Sequence, residues 1–305
     1  CIRHSPVIDH AYKSGINTWD TADVYSFGQS EEIIGKALRQ LHIPRERVVI
    51  LSKCYFGLKE PGQKFDISSL FTNDGELVNR VGLSRKHIFD AVEASVKRLG
   101  TYIDVLQIHR LDRATPREEI MRALNDVIDK GWVRYIGASS MAAWEFQQLQ
   151  NIADKHGWHK FISMQNYYNL IYREEEREMI PYCQNAGIGL VPWSPMAGGV
   201  LARPWTERNT KREETDKLVK DLSRDRSLKS DEDIVNRVEE LANQKKVSMA
   251  EISIAWHLSK GTNPVLGLSK IERIDDAVAA LKVELSEDEI RYLEEPYLPK
   301  RVQGY

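Results

Sequence analysis

The sequence has no apolar run approaching the ~20 residues a helix needs to cross a bilayer. Cysteine is sparse: Cys1, Cys54 and Cys183 are the only three in 305 residues, and no two of them form a CxxC pair. An odd, scattered set excludes a disulfide framework and a cysteine-based metal site, and it fits a reducing, cytoplasmic setting. Neither sign of charge is in excess. The 43 Lys and Arg are met by 45 Asp and Glu, for a net charge of −2. That balance removes the electrostatic argument for nucleic acid or an anionic membrane as partner. No GxGxxG follows a candidate strand, and there is no Walker loop, HExxH or GxSxG. A Rossmann domain, a P-loop enzyme, a zincin and an α/β-hydrolase therefore lose their main sequence support, and no metal is expected.

What is present is an alternation. Short apolar runs read as strands at Ile16–Ala22, Val48–Tyr55, Val105–His109, Tyr135–Ser139, Phe161–Asn166, Leu190–Ser194 and Val265–Leu268. Several are apolar at consecutive positions, as in strands covered on both faces. Helical patterns lie between them, at Glu31–Leu41, Ser84–Leu99, Arg117–Lys130 and Glu174–Asn185. Ser84 and Gly100 bracket one of these as start and stop signals. Strand–helix alternation predicts βαβ units and a parallel sheet. With about seven strands visible, the expected fold is an α/β (β/α)8 barrel forming one domain over residues 1–305. Its missing strand is expected before or at the start of the chain, because Ser5–Lys13 already reads as the first helix. The chain begins at Cys1, so residues of the natural protein are expected to precede it, and a removed targeting segment stays open. Two loop insertions interrupt the rhythm, at 56–83 and 202–233. The second is dense in charge, and reads equally as a solvated insertion or as a lid.

Four residues sit at predicted strand ends: Asp20 and Tyr25 in "WDTADVYSFG", Lys53 in "VVILSK", and His109 in "IDVLQIH". In a parallel barrel those ends share one face. Singly, each has a plain alternative: a turn aspartate, a surface tyrosine, a solvated lysine, a satisfied buried histidine. Together they make chemical sense. A phenol near its reference pKa of about 10 is a poor acid at neutrality, and a nearby ammonium favours its phenolate. A carboxylate keeps that ammonium charged, and a neutral imidazole orients a carbonyl oxygen. Such a set polarises and protonates a carbonyl, and its hydride must come from a cofactor.

The segments "GINTWDTADVYSFGQSEEIIGKAL", "LSK", "IDVLQIHR", "YIGASS", "MQNYYN", "VPWSPMAGGVL" and "PVLGLSKIERIDDAV" occur in one order along nearly the whole chain. In these the sequence resembles the aldo-keto reductases, and most of all their fungal aryl-alcohol-dehydrogenase-like branch, related to potassium-channel β subunits. The resemblance implies a (β/α)8 barrel and NADPH-dependent reduction of aldehydes or ketones. It implies Tyr25 as proton donor, Asp20 and Lys53 as the pair that tunes it, and His109 as the residue orienting substrate. For NADP(H) it implies Ser139, Ser140 and Gln165 at the nicotinamide carboxamide, with Trp193 stacked on the ring. Ser194, Pro195, Met196, Gly198 and Leu201 match the loop passing the pyrophosphate. Ser269, Lys270 and Arg273 match the segment holding the ribose phosphate, at the start of a helix near Ile271 where the dipole favours an anion. Ser140 departs from the family, which usually has Asn there.

Trp19, Tyr55 and Phe56 are expected to line the substrate pocket, with residues of 56–83 and the tail 296–305. Aromatic lining leans toward aryl or hydrophobic carbonyls. Two other readings compete: an NADPH-binding partner protein with little turnover, and a Schiff-base aldolase using Lys53. A monomer or modest homo-oligomer is expected.

Overall fold

The computed structural model describes residues 5–58, 72–207 and 229–304. The chain divides into two compact units, Cys1–Met164 and Gln165–Tyr305.

The first unit is built from βα repeats. Helix α1, Ser5–Lys13, precedes strand β1, Thr18–Asp20; α2, Gln29–Gln40, leads to β2, Val49–Cys54. Then follow α3, Arg85–Leu99; β3, Ile103–Ile108; α4, Arg117–Asp129; β4, Val133–Ser139; α5, Ala143–His156; and β5, Phe161–Gln165, whose last residue opens the second unit. Strands β1 to β4 pair in parallel in chain order, and β5 adjoins β4. Their helices also neighbour one another in chain order.

Local chemistry explains the boundaries. The Ser84 hydroxyl accepts from the His87 N–H at 3.2 Å and caps α3, and Gly100 ends it at φ 70°. The α3 positions Ile88, Val92, Ser95 and Leu99 are buried, so the helical spacing seen in the sequence is the core-facing stripe. Gly35 on α2 is required by a close approach: a Cβ there would lie 2.3 Å from the Leu99 carbonyl oxygen.

The second unit contains β6, Gly189–Leu190, and helices α6, Met179–Asn185; α7, Lys229–Lys245; α8, Met249–Ser259; α9, Ile271–Ala279; and α10, Glu287–Glu294. Ser248 and Glu251 form a reciprocal capping box on α8, as Ser286 and Glu289 do on α10. No helix of the described residues is long and apolar enough to cross a membrane.

Several expectations change. The strand read at Leu190–Ser194 is shorter; beyond it Trp193 only bridges Tyr167, with its N–H donating to the Asn166 carbonyl at 2.9 Å. Residues Val265–Leu268 form no strand. Asn263 and Val265 donate to the Leu190 and Pro192 carbonyls at 2.9 and 2.8 Å, and the pairing then stops. Leu266 and Leu268 pack instead on Ile254 and Ala277. The helix read at Glu174–Asn185 is a 3-10 turn at Glu174–Glu176 followed by α6. Helix α5 was not among the predicted helices; its apolar stripe is thin, with Phe146, Leu149 and Ala153 buried between polar neighbours. No strand precedes α1 among the described residues. Among the described residues six strands are assigned where eight were expected. Residues 59–71 and 208–228, within the two expected insertions, lie outside the described residues, while 229–233 begin α7.

One buried acid in the second unit carries a pH effect. Asn166, next to Gln165, donates to Glu175 at 2.9 Å, with both side chains buried. Burial pushes Glu175 up to about 7 from its ordinary 4.5, outweighing the hydrogen bond from Asn166. The folded state therefore holds this proton more tightly than the unfolded chain. The stability this provides is complete below about pH 4.5 and is lost as pH rises through about 7. Glu175→Gln is expected to raise the melting temperature at pH 8 and to leave it nearly unchanged near pH 4.5. The gain at high pH is at most about 3 kcal/mol. The same shift at both pH values would contradict this origin.

Candidate active site

Parallel register assembles the centre of the first unit. Asp20 is level with Leu51, and Lys53 with Gln107, which is level with Gly137. Residues two apart on a strand share a face, so Asp20, Lys53, Gln107 and Ser139 project from one side of the sheet. Gly137 leaves room there: a Cβ would sit 3.1 Å from the Gln107 Cγ and 2.5 Å from the Ser163 Oγ.

Lys53 is completely buried and its ammonium makes three hydrogen bonds. It donates to Asp20 Oδ2 at 2.5 Å, to the Thr21 carbonyl at 2.8 Å and to the Tyr25 hydroxyl at 3.3 Å. Burial opposes the charged ammonium, but Asp20 and Tyr25 together outweigh it, and the lysine pKa is raised. Gln107 Nε2 donates to the other Asp20 oxygen at 3.1 Å, fixing the carboxylate. An ammonium held in this way is no amine nucleophile, which argues against the aldolase reading.

Tyr25 is 39% exposed, and its hydroxyl accepts the hydrogen bond from Lys53. Its ring lies edge-on to His109, with centroids 5.9 Å apart. Burial, then Lys53 and Arg110, hold the His109 imidazole well below its ordinary pKa, so it is neutral. His109 Nδ1 is buried with no partner. A buried bare lone pair costs less than a buried orphan N–H, so the ring hydrogen belongs on Nε2. Phe56 packs against His109 at 4.8 Å and Tyr55 against Phe56 at 5.1 Å, extending an aromatic row from Tyr25.

The loop carrying Tyr25 is held from beneath. Glu31, fully buried on α2, accepts from the Ser52 hydroxyl at 2.5 Å and from Arg98 Nε at 2.6 Å. Ser26, Phe27 and Gly28 all have left-handed backbones, at φ 49°, 56° and 84°. Such conformations cost energy in non-glycine residues and persist where surroundings enforce them. The Arg98 side chain lies so close to Gly28 that a Cβ would come within 2.7 Å of its Cδ.

The sequence-derived residues divide as follows. Asp20, Tyr25, Lys53 and His109 come together, with Tyr55 and Phe56 beside them. Trp19 does not join them: strand alternation sends it to the opposite face from Asp20, and its indole donates to the Ile16 carbonyl at 3.0 Å. Ser139 and Ser140 are buried at the end of β4, and Ser140 has φ 47°. Asn tolerates that conformation better than Ser, a physical reason for the family's usual residue there.

In the second unit, Gln165 is buried at the end of β5, and Trp193 stacks on Tyr167 at 4.6 Å. After it, Ser194, Ala197, Gly198 and Gly199 take positive φ, from 48° to 103°. This winds the backbone tightly through Pro195 and Met196, before Leu201 is buried. Ser269, Lys270 and Arg273 are exposed at the start of α9. Lys270 is its N-cap residue and supplies no side-chain cap. The tail is tied down: the Tyr297 hydroxyl and the Lys300 N–H each approach Glu174 at 2.6 Å, and Lys300 pairs with buried Asp231 at 2.7 Å.

Gln107 and Arg110 were not singled out from the sequence. For Gln107 a signal existed: an uncharged polar residue inside the apolar run "IDVLQIH" must find a partner.

Residues 4–297 match the aldo/keto reductase family. The chain is 64% identical over 299 residues to versiconal hemiacetal acetate reductase of Aspergillus parasiticus, covering 97% of this chain and 87% of that protein. It is 56% identical over 304 residues to a Schizosaccharomyces pombe protein named for aryl-alcohol dehydrogenase activity, covering 98% and 86%. It is 49% identical over 313 residues to an aldo-keto reductase of Fusarium vanettenii, covering 98% and 83%. The chain belongs to the aldo/keto reductase family. It is accordingly an oxidoreductase of the carbonyl-reducing class.

Proposed function

We propose that this chain is an NADPH-dependent reductase of aldehydes and ketones, in which Tyr25 delivers the proton to the carbonyl oxygen. The observation that carries the reading is the triple hydrogen bond of the Lys53 ammonium. By donating to the Tyr25 oxygen, Lys53 leaves the phenolic hydrogen free to point at a substrate. It also stabilises the phenolate left after proton transfer. Asp20, fixed by Gln107, keeps the ammonium in place. His109, neutral and with its hydrogen on Nε2, donates to the carbonyl oxygen and orients it. The tyrosine is reprotonated from solvent, which reaches this residue.

Bound NADPH would supply the hydride. The residues present fit that cofactor. Ser139, Ser140 and Gln165 offer hydroxyl and amide groups to a carboxamide, and Trp193 offers a ring face. The positive-φ run from Ser194 to Gly199 brings backbone close to a pyrophosphate. At α9, free N–H groups face the same end as Lys270 and Arg273. Neither cation has an ion pair among the described residues, and basic side chains there oppose the helix dipole unless an anion intervenes. This favours NADPH over NADH. Membership of the family implies a (β/α)8 barrel as the fold that carries this site.

Tyr55 and Phe56 support aryl or hydrophobic substrates, as do the names of the relatives. The test is NADPH oxidation, followed by loss of nicotinamide absorbance, with a panel of aromatic and aliphatic aldehydes and ketones. Turnover with at least some aromatic aldehydes, and binding of NADPH at least about tenfold tighter than NADH, is the expected result. NADPH binding without turnover on any carbonyl would instead favour a cofactor-binding partner protein.

A further inference from the structure

Arg110 stands out by what it lacks. Other arginines of the first unit that reach toward the interior meet carboxylates: Arg45 meets Asp104, Arg98 meets Glu31 at 2.6 Å, and Arg117 meets Glu145 at 3.4 Å. Arg110 is half-buried beside the catalytic cluster and has no ion pair among the described residues. One hydrogen bond is seen, from Nη1 to the His109 carbonyl at 2.6 Å. A guanidinium has five N–H donors, so most of its capacity is unspent. The nearest acid in sequence, Asp112, is engaged elsewhere. It accepts from the Leu83 and Ala114 N–H groups at 2.8 and 2.9 Å, and from the Thr115 hydroxyl at 2.6 Å.

The charge balance of the site agrees. Lys53 and Asp20 neutralise each other, and His109 is neutral. Among the described residues Arg110 is then a charge of the site without a counter-ion, held near the Phe56 ring with its guanidinium carbon 6.0 Å from the centroid. Burial lowers its pKa, while Tyr25 and Tyr55 act the other way. A half-buried guanidinium pays a desolvation cost that an anion or strong acceptor would offset.

We propose that Arg110 is a specificity-determining residue that receives a carboxylate, or a comparable oxygen acceptor, on the substrate, and that the site prefers carbonyl compounds carrying such a group over their uncharged counterparts. This rests on the carbonyl-reductase reading for its kinetic test, but not for its binding test. Arg is suited to the role because its planar fork meets carboxylates bidentately, which Lys cannot do.

The experiment compares wild type, Arg110→Met and Arg110→Lys on benzaldehyde and 4-carboxybenzaldehyde with NADPH. Circular dichroism checks that each variant is folded. Wild type is expected to have the higher kcat/KM for the carboxylated aldehyde. Arg110→Met is expected to lower the ratio of the two kcat/KM values by about tenfold or more, mainly through KM, and Arg110→Lys to restore part of it. A ratio unchanged within about twofold in Arg110→Met would overturn the proposal. So would a wild type that disfavours the carboxylate. In parallel, benzoate binding to the NADPH-loaded proteins is measured by calorimetry. If no carbonyl is reduced by wild type, the reductase reading fails and benzoate decides alone. Binding weakened about tenfold in Arg110→Met sustains the anion site, and equal binding in both proteins refutes it.

Discussion

Tyr25→Phe is expected to abolish most carbonyl reduction, lowering kcat by about two to four orders of magnitude. The substitution removes one oxygen. With it go the acid proposed to protonate the carbonyl oxygen and the acceptor of the 3.3 Å hydrogen bond from Lys53. Little else changes. Lys53 keeps Asp20 and the Thr21 carbonyl, and the Phe ring retains the edge contact with His109. The fold and NADPH affinity should therefore persist, and fluorescence titration with NADPH checks the second point. Because the lost interaction acts as the proton moves, the defect should fall on kcat and kcat/KM together. Turnover within about threefold of wild type would remove Tyr25 from the role assigned to it, since a lost general acid costs far more.

Lys53→Met is expected to damage both activity and stability. Asp20, largely buried, would lose its counter-charge. Breaking a buried pair from one side costs about 3–5 kcal/mol. A lower melting temperature follows, with turnover reduced at least as far as in Tyr25→Phe. The double variant Lys53→Met/Asp20→Asn separates the two effects. It removes the stranded charge, so it should recover stability without recovering activity. Recovery of both would mean that Lys53 serves only the fold. An unchanged melting temperature in the single variant would mean that solvent reaches the Asp20 carboxylate.

The residues of this cluster were legible in the sequence for a physical reason. Asp20, Lys53 and His109 end apolar runs, and parallel strands bring such ends to one face. Tyr25 needed only a short loop to follow them. Helix α3 was legible because Ser84, Gly100 and the buried stripe all point to the same boundaries. The segment Val265–Leu268 misled because a short apolar run reads as a strand, whereas the packing of Leu266 and Leu268 on Ile254 and Ala277 decides otherwise. Trp19 misled because proximity to Asp20 in sequence is opposition across a strand. Arg110 could not be read at all. Its meaning lies in the absence of a carboxylate, which is a property of three-dimensional neighbours and not of residue type.

The division of the chain at Met164 bears on how such a protein can diversify. The whole acid–base apparatus and Arg110 are encoded before that point. The Trp193 loop and the Lys270–Arg273 helix start are encoded after it. Recombination near the middle of the gene would then exchange the proposed choice of carbonyl compound while the proposed preference for the cofactor phosphorylated on its adenosine ribose is inherited unaltered. Two selectable traits would then assort almost independently, a route to many substrates from one redox chemistry.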